Sequence, residues 1–359
     1  MARPPWFAHD EVVRAMIINQ DGSKMYLVEG AGAKKVYKID IETATVDWTF
    51  EDPGASSCID ATLAPNENSL YVSVVHGRAT SDPNYIIKIN TSTGQEEQRA
   101  QTPSFWYPSG YNMPYGMVAD STFLYTGGTS YRVIAHRLSD LGMQWSTYVG
   151  STVLSLVLSG STLYAGDSHY DYEVRSLNTD GEELTTIYTG HQFSVQSLVY
   201  SGSVLYSGSR YHSTQDIPGI MHQHGGWTYT DLEAGVSDIA IDSAGSKIYV
   251  AGQIHSQFND GVQAISTGGN LIWRNDGFIT TRIAITPDGE NLFVRGRRVG
   301  ENVWGIFKLD PLTGKEFAVY DIWVKKGGIY REAELNAKRG VFRNVEGVWA
   351  KKGGTFRSV

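Results

Sequence analysis

The chain has 359 residues, is 41% hydrophobic, 12% aromatic and 19% charged, and contains 39 Gly, 11 Pro and one Cys. That composition excludes disorder and collagen, and the single Cys58 excludes an internal disulfide and a multi-thiolate metal centre. The formal charge of −8 argues against a general nucleic-acid surface, which needs clustered Lys and Arg to release counterions. Met1 to Asp10 lacks the apolar stretch of a signal peptide, and no segment approaches the apolar length of a membrane span. A chain without membrane insertion or a readable export signal is expected.

Along the chain an internal repeat dominates. The first unit reads as four strands: Val13 to Ile18, a turn at Gln20-Asp-Gly22, then Lys24 to Val28, Val36 to Asp40 and Val46 to Phe50. Six further units follow, each marked by an aromatic in its second strand. The marks are Tyr26, Tyr71, Tyr125, Tyr164, Tyr206, Tyr249 and Phe293, at spacings of 45, 54, 39, 42, 43 and 44 residues. Four short strands in a period near forty is the size of a propeller blade. The expected fold is all-β: a seven-bladed β-propeller over 1–320, followed by a C-terminal module of short β-hairpins over 321–359.

Turn residues separate the third and fourth strands, as in Asn90-Thr-Ser-Thr-Gly-Gln95, Ser139-Asp-Leu-Gly-Met-Gln-Trp145, Asn178-Thr-Asp-Gly181, Ser266-Thr-Gly-Gly-Asn-Leu-Ile-Trp273 and Asp310-Pro-Leu-Thr-Gly-Lys315. This pattern resembles the Asp-x-x-Thr-Gly-x-x-x-Trp hairpin of quinoprotein-type propellers, and more loosely that of WD-repeat propellers. The Gly would supply a positive φ and the Trp would pack between blades. The resemblance covers residues 12 to 320 and concerns fold rather than chemistry.

Beyond Tyr320 a shorter repeat begins: Trp323-Val-Lys-Lys-Gly-Gly-Ile-Tyr-Arg-Glu-Ala333, Ala337-Lys-Arg-Gly-Val-Phe-Arg-Asn-Val345 and Trp349-Ala-Lys-Lys-Gly-Gly-Thr-Phe-Arg-Ser-Val359. Each copy reads as a hairpin with a glycine turn. Residues 321–359 hold nine Lys and Arg against four Asp and Glu, a charge of +5, which leaves −13 on the remainder. The docking candidates are Trp323, Lys325, Lys326, Tyr330, Arg331, Phe342, Arg343, Trp349, Lys351, Lys352, Phe356 and Arg357. Isolated hairpins are marginal in water, so this module should either fold back on the propeller or serve docking or oligomerisation. The repeats resemble the terminal hairpins of tailed-bacteriophage fibre and tail-associated proteins. That resemblance implies a non-enzymatic virion structural protein with other virion proteins as partners in a homo- or hetero-oligomeric assembly, and a host surface protein or glycan as a further partner.

Three more places could carry function. The longest interval contains Phe105, Trp106, Tyr107 and Tyr111 between prolines and glycines, the composition of a recognition loop or of a plug in the propeller mouth. Histidines follow the anchor aromatics at His76, His169, His212 and His255, and Met221-His-Gln-His224 adds His222 and His224 on one side of a strand. Blade geometry fans such loops apart, so no metal is expected. Counting back ten or eleven residues from each anchor places Ala15, Asp60, Tyr115, Leu154, Gln196, Asp238 and Arg282 at the mouth of the axis, as a polar pocket or as a wet channel with an ion pair. No Walker loop, nucleophile elbow or quinoprotein ligand pattern is present, and no cofactor or catalytic residue is expected. A quinoprotein- or lactonase-type enzyme or binding protein is the competing class; it requires a bound metal or cofactor.

Overall fold

The computed structural model of the chain describes all residues except 1–4, 10, 31, 33, 77–82, 104–112, 169–172, 189–190, 192, 211–219, 233–234, 253–260, 318–321, 327–328, 334–347, 353–354 and 359. It resolves into two compact units, Met1–Lys315 and Glu316–Val359.

The first unit is a seven-bladed β-propeller of seven four-stranded antiparallel sheets. The inner strands are Val13–Ile18, Ser57–Leu63, Pro114–Ala119, Val153–Ser159, Val195–Ser201, Val236–Ile241 and Phe278–Ile285. Each inner strand contacts the next, and Phe278–Ile285 returns to Val13–Ile18, so the ring closes. The second strands are the most buried, with Ser69–Val75 buried at every position, because they are covered by a neighbouring blade on either face.

At the rim the blades are fastened by one repeated contact. A Trp in the outer strand of one blade, or just before it in the case of Trp227, donates its indole N–H to the turn carbonyl of the next. The bonds are Trp48 to Thr91 (2.9 Å), Trp145 to Thr179 (3.0 Å), Trp227 to Thr267 (2.7 Å) and Trp273 to Pro311 (3.1 Å). The same rings lie 5.9–6.2 Å from Tyr26, Tyr125, Tyr206 and Tyr249 of their own blades. The turn glycine is required twice over. Gly94 has φ +72°, and a Cβ there would stand 2.7 Å from the Trp48 ring.

The seventh blade departs from the sequence reading. The turn at Asp310–Lys315 was expected to lead into an outer strand, but among the described residues the fourth strand of this sheet is Phe7–Ala8, paired to Trp304–Leu309. The N-terminus closes the ring. Trp6 brings its ring 4.8 Å from the anchor Phe293, as the repeated Trp rings lie against their own anchors. His9 Nε2 meets Glu29 Oε1 at 2.5 Å with both groups buried, which ties the closing strand to blade 1. A pairing between opposite ends of a chain has no local sequence signature, which is why the repeat period did not reveal it.

The second unit contains one four-stranded sheet in the order Ile329–Ala333, Ile322–Lys326, Val348–Lys352, Thr355–Ser358. The two hairpins share a register, Lys326 opposite Ile329 and Lys352 opposite Thr355, each spanned by a two-residue Gly-Gly connection. They join through antiparallel pairing in which Trp323 lies opposite Trp349. The middle copy of the repeat, with Phe342 and Arg343, lies outside the described residues.

Candidate functional site

The site grows out of a backbone irregularity shared by every blade. Near its start each inner strand shifts register against the second strand, between Val13 and Ala15, Cys58 and Asp60, Pro114 and Gly116, Val153 and Ser155, Val195 and Ser197, Val236 and Asp238, and Thr280 and Arg282. One inserted residue per blade bends the strand and re-aims the side chains beside it. The residues just after the bulge are Ala15, Asp60, Gly116, Ser155, Ser197, Asp238 and Arg282. Sequence counting reached four of these but landed on Tyr115, Leu154 and Gln196, which are the inserted residues themselves. The reason is loop length. The residue after the bulge stands eleven positions before the anchor in blades 1, 2, 6 and 7 but nine in blades 3, 4 and 5, as blades 4 and 5 show by turning through two residues, Gly160-Ser161 and Gly202-Ser203.

Several of these side chains reach the next blade. Asp238 Oδ1 accepts from the backbone N–H of Ile239 (3.0 Å) and from Ser197 Oγ (3.3 Å), while Oδ2 accepts from the N–H of Ile283 (3.1 Å). Blades 5, 6 and 7 are thereby linked through one carboxyl group. Asp60 accepts from the N–H groups of Ala61 and Met117 in the same manner. Burial dominates its ionisation and pushes its pKa up to about 7, against the opposing pull of these hydrogen bonds and of Arg282. Burial also raises Asp238. Arg282 donates Nε to Arg14 O (2.5 Å) and Nη1 to Thr281 O (2.8 Å), linking blade 7 to blade 1 through carbonyls. An ion pair in the channel was one expectation; among the described residues Arg282 acts on Asp60 and Asp238 only through the longer-range field.

Beside this ring opens a cavity of about 500 Å³ that spans blades 5, 6, 7 and 1. Its walls carry Arg14, Arg210, Arg282 and Arg295 together with Gln196 and Trp304, and among the described lining residues there is no Asp or Glu. Arg295 is 3% exposed, donates Nη2 to Glu11 O (2.7 Å) and lies 4.6 Å from the Trp304 ring, with Arg297 5.7 Å from the same ring. Arg14 is the inserted residue of its bulge. Its Nε is buried and without a hydrogen-bond partner, and Gly30 makes room for it, since a Cβ there would stand 2.7 Å from that nitrogen. Burial, followed by the neighbouring Arg282 charge, lowers the Arg14 pKa.

Sequence counting found Gln196 and Arg282 but missed Arg14, Arg210, Arg295 and Trp304. A signal existed. Two residues beyond the anchor the seven blades carry Val28, Ser73, Gly127, Gly166, Gly208, Ala251 and Arg295, each opposite the residue after the bulge. Arg295 is the outlier of an otherwise small or aliphatic position, and it stands directly opposite Arg282.

The histidines are structural where they are described. His76 Nε2 meets Asp52 Oδ2 at 3.0 Å, and Arg99 Nη1 reaches the same carboxylate at 3.0 Å. Burial alone would raise Asp52, but the hydrogen bonds from His76 and the Gly54 N–H and the Arg99 charge outweigh it and hold its pKa below the ordinary value. His169, His212 and His255 lie outside the described residues. His222 bonds Thr228 Oγ1 (2.8 Å), whereas His224 and His191 flank Ser207 Oγ at 2.9 and 2.7 Å. Ser207 is fully buried. Among the described residues no group of three or more His, Cys, Asp or Glu could hold a metal ion. Cys58 is buried and its thiol is pushed up to about 12, first by burial.

The aromatic loop residues Phe105, Trp106, Tyr107 and Tyr111 lie outside the described residues; its ends are held by Thr102 N–H to Asn84 O (2.8 Å) and Met113 N–H to Thr129 Oγ1 (3.0 Å). Of the docking residues, Trp323, Lys325, Lys326, Tyr330, Arg331, Trp349, Lys351, Lys352, Phe356 and Arg357 fall on the paired strands of the second unit.

No family model and no curated protein matches the chain. Among solved structures, the "Structure of U3-55K", a WD40 protein, superposes with a TM-score of 0.64 at 14% identity, covering 84% of this chain and 97% of that one. The likeness shows the fold alone. Because 1548 solved chains match, the propeller shape does not choose among functions, although it is consistent with an interaction platform.

Proposed function

We propose that this protein is a non-catalytic interaction platform of a tailed-bacteriophage particle, with the propeller presenting its loops to a host surface protein or glycan and the C-terminal sheet docking it to other virion proteins or to copies of itself. The observation that carries the reading is the C-terminal repeat. Two nearly identical Lys-Lys-Gly-Gly-x-aromatic-Arg segments adopt one register and join into one sheet. The pairing sets Trp323 opposite Trp349 and Glu332, Lys325 opposite Tyr330, and Lys351 opposite Phe356. Strands rich in Trp, Tyr and Phe with Lys and Arg suit a partner surface that is apolar and acidic. Residues 1–320 carry a charge of −13, of the complementary sign, so a neighbouring copy is one such partner.

The test is a deletion of residues 321–359 in the source particle. Particles that lack this chain while the truncated protein still unfolds cooperatively at the full-length temperature would support docking through the C-terminal unit. Normal incorporation of the truncated chain would refute it, and absence of the full-length chain from purified particles would refute the virion reading.

A further inference from the structure

Four arginines meet at one end of the propeller in a protein whose net charge is −8. Gathering guanidinium groups with no carboxylate among the described lining residues is unfavourable, and like charges directly opposite in a β-ladder, as Arg282 and Arg295 are, weaken the pairing. Three observations show that the arrangement is built. Arg295 breaks a position that is small or aliphatic in the other six blades. Arg282 is held by two backbone carbonyls, which orient its charge without neutralising it, and Arg295 is held by Glu11 O and the Trp304 ring. Arg14 sits on a bulge with its Nε buried and unpartnered, in space that Gly30 leaves open.

We propose that this mouth binds a small phosphate-bearing molecule, with the phosphate oxygens among Arg14, Arg210 and Arg282. Guanidinium forks match phosphate oxygens in pairs, and several forks around one cavity suit a group with two or more negative charges. The cavity of about 500 Å³ is the size of a small ligand rather than of a folded partner. Gln196 adds an amide that can donate or accept. The site does not depend on the virion reading, since it belongs wholly to the propeller.

The experiment is isothermal titration calorimetry of the full chain with inorganic pyrophosphate, repeated with citrate at matched ionic strength. Saturable one-to-one binding of pyrophosphate is expected, weakened by about tenfold or more in Arg14→Gln and in the exposed Arg210→Gln. Arg137→Gln, an exposed arginine paired with Asp140 away from the cavity, should bind as the parent does. Without ligand, Arg14→Gln should unfold at the parental temperature or above it, because a like-charge contact is removed. Absence of saturable pyrophosphate binding, binding unchanged in both cavity variants, or equal weakening by Arg137→Gln would overturn the proposal. Binding of citrate alone would overturn the phosphate assignment and make the site one for carboxylates.

Discussion

The rim and the axis of the propeller are built from the same repeat and use it in opposite ways. At the rim, four blades make the same indole-to-carbonyl contact with the same turn glycine, so geometry and chemistry repeat together. At the axis, all seven blades keep the same bulge, yet the residue after it is Ala, Asp, Gly, Ser, Ser, Asp or Arg. A repeat thus fixes a backbone around the whole ring, and a site arises where individual side chains break the repeat on that backbone.

The sharpest way to break the rim is to open it. Deleting residues 1–9 removes the closing strand, the Trp6 contact and the buried His9–Glu29 pair, leaving Glu29 without that partner. A loss above about 4 kcal/mol in urea unfolding is expected, since a buried aromatic and half of a buried pair go together. Next come the latches. Trp48, Trp145, Trp227 and Trp273, each changed singly to Ala, should each cost about 3 kcal/mol in the same assay, and their similarity tests whether the rim is uniform. Gly94→Ala should cost about 1–2 kcal/mol or more, from its left-handed φ and the approach of Trp48.

At the axis the sign reverses. The folded pKa of Asp60 is raised from 3.8 to about 7, so the native state holds a proton that the unfolded chain has released. Its stabilising contribution is complete below pH 3.8 and is lost as pH rises through about 7. Asp60→Asn, which keeps an acceptor oxygen, should therefore raise the unfolding temperature at pH 8 and leave it nearly unchanged near pH 4.

The smallest effect concerns the buried imidazoles. Burial lowers His136 and His224 from 6.5 to about 4, so the stability they support is present above pH 6.5 and declines as pH falls towards 4. Replacing His224 by Gln should flatten that part of the curve of unfolding temperature against pH.

Much of this was legible beforehand. The anchor aromatics, the Thr-Gly turns and the Gly-Gly hairpins are local signals, because a period of two, a positive φ and a fixed strand count are imposed by the backbone itself. Asp60, Asp238 and Arg282 were found by counting from the anchors. Tyr115, Leu154 and Gln196 were one residue off, because hairpin loops of two lengths share one blade geometry. Arg295 was open to counting as the outlier of its position, but Arg14 and Arg210 could not be grouped with it and Trp304, since blades 1, 5 and 7 are far apart in the chain and meet only when the ring closes. The aromatic loop at 105–111 was singled out by composition, a signal that names a residue type but no position in space.

By itself the sequence determined the number of blades and their strand order and placed the turn glycines and tryptophans of the rim, because a repeat and its turns are read directly along the chain. Only the tertiary structure decided that the N-terminal strand closes the ring, that two acidic side chains stitch blades together instead of pairing with Arg282, and that four arginines share one cavity. The acidic stitches join neighbouring blades, as Asp238 does with Ile283, and the arginine cavity depends on contacts between residues hundreds of positions apart, such as Arg282 with Arg14 and Arg295 with Glu11, whose closeness is fixed by closure of the ring and not by any local preference.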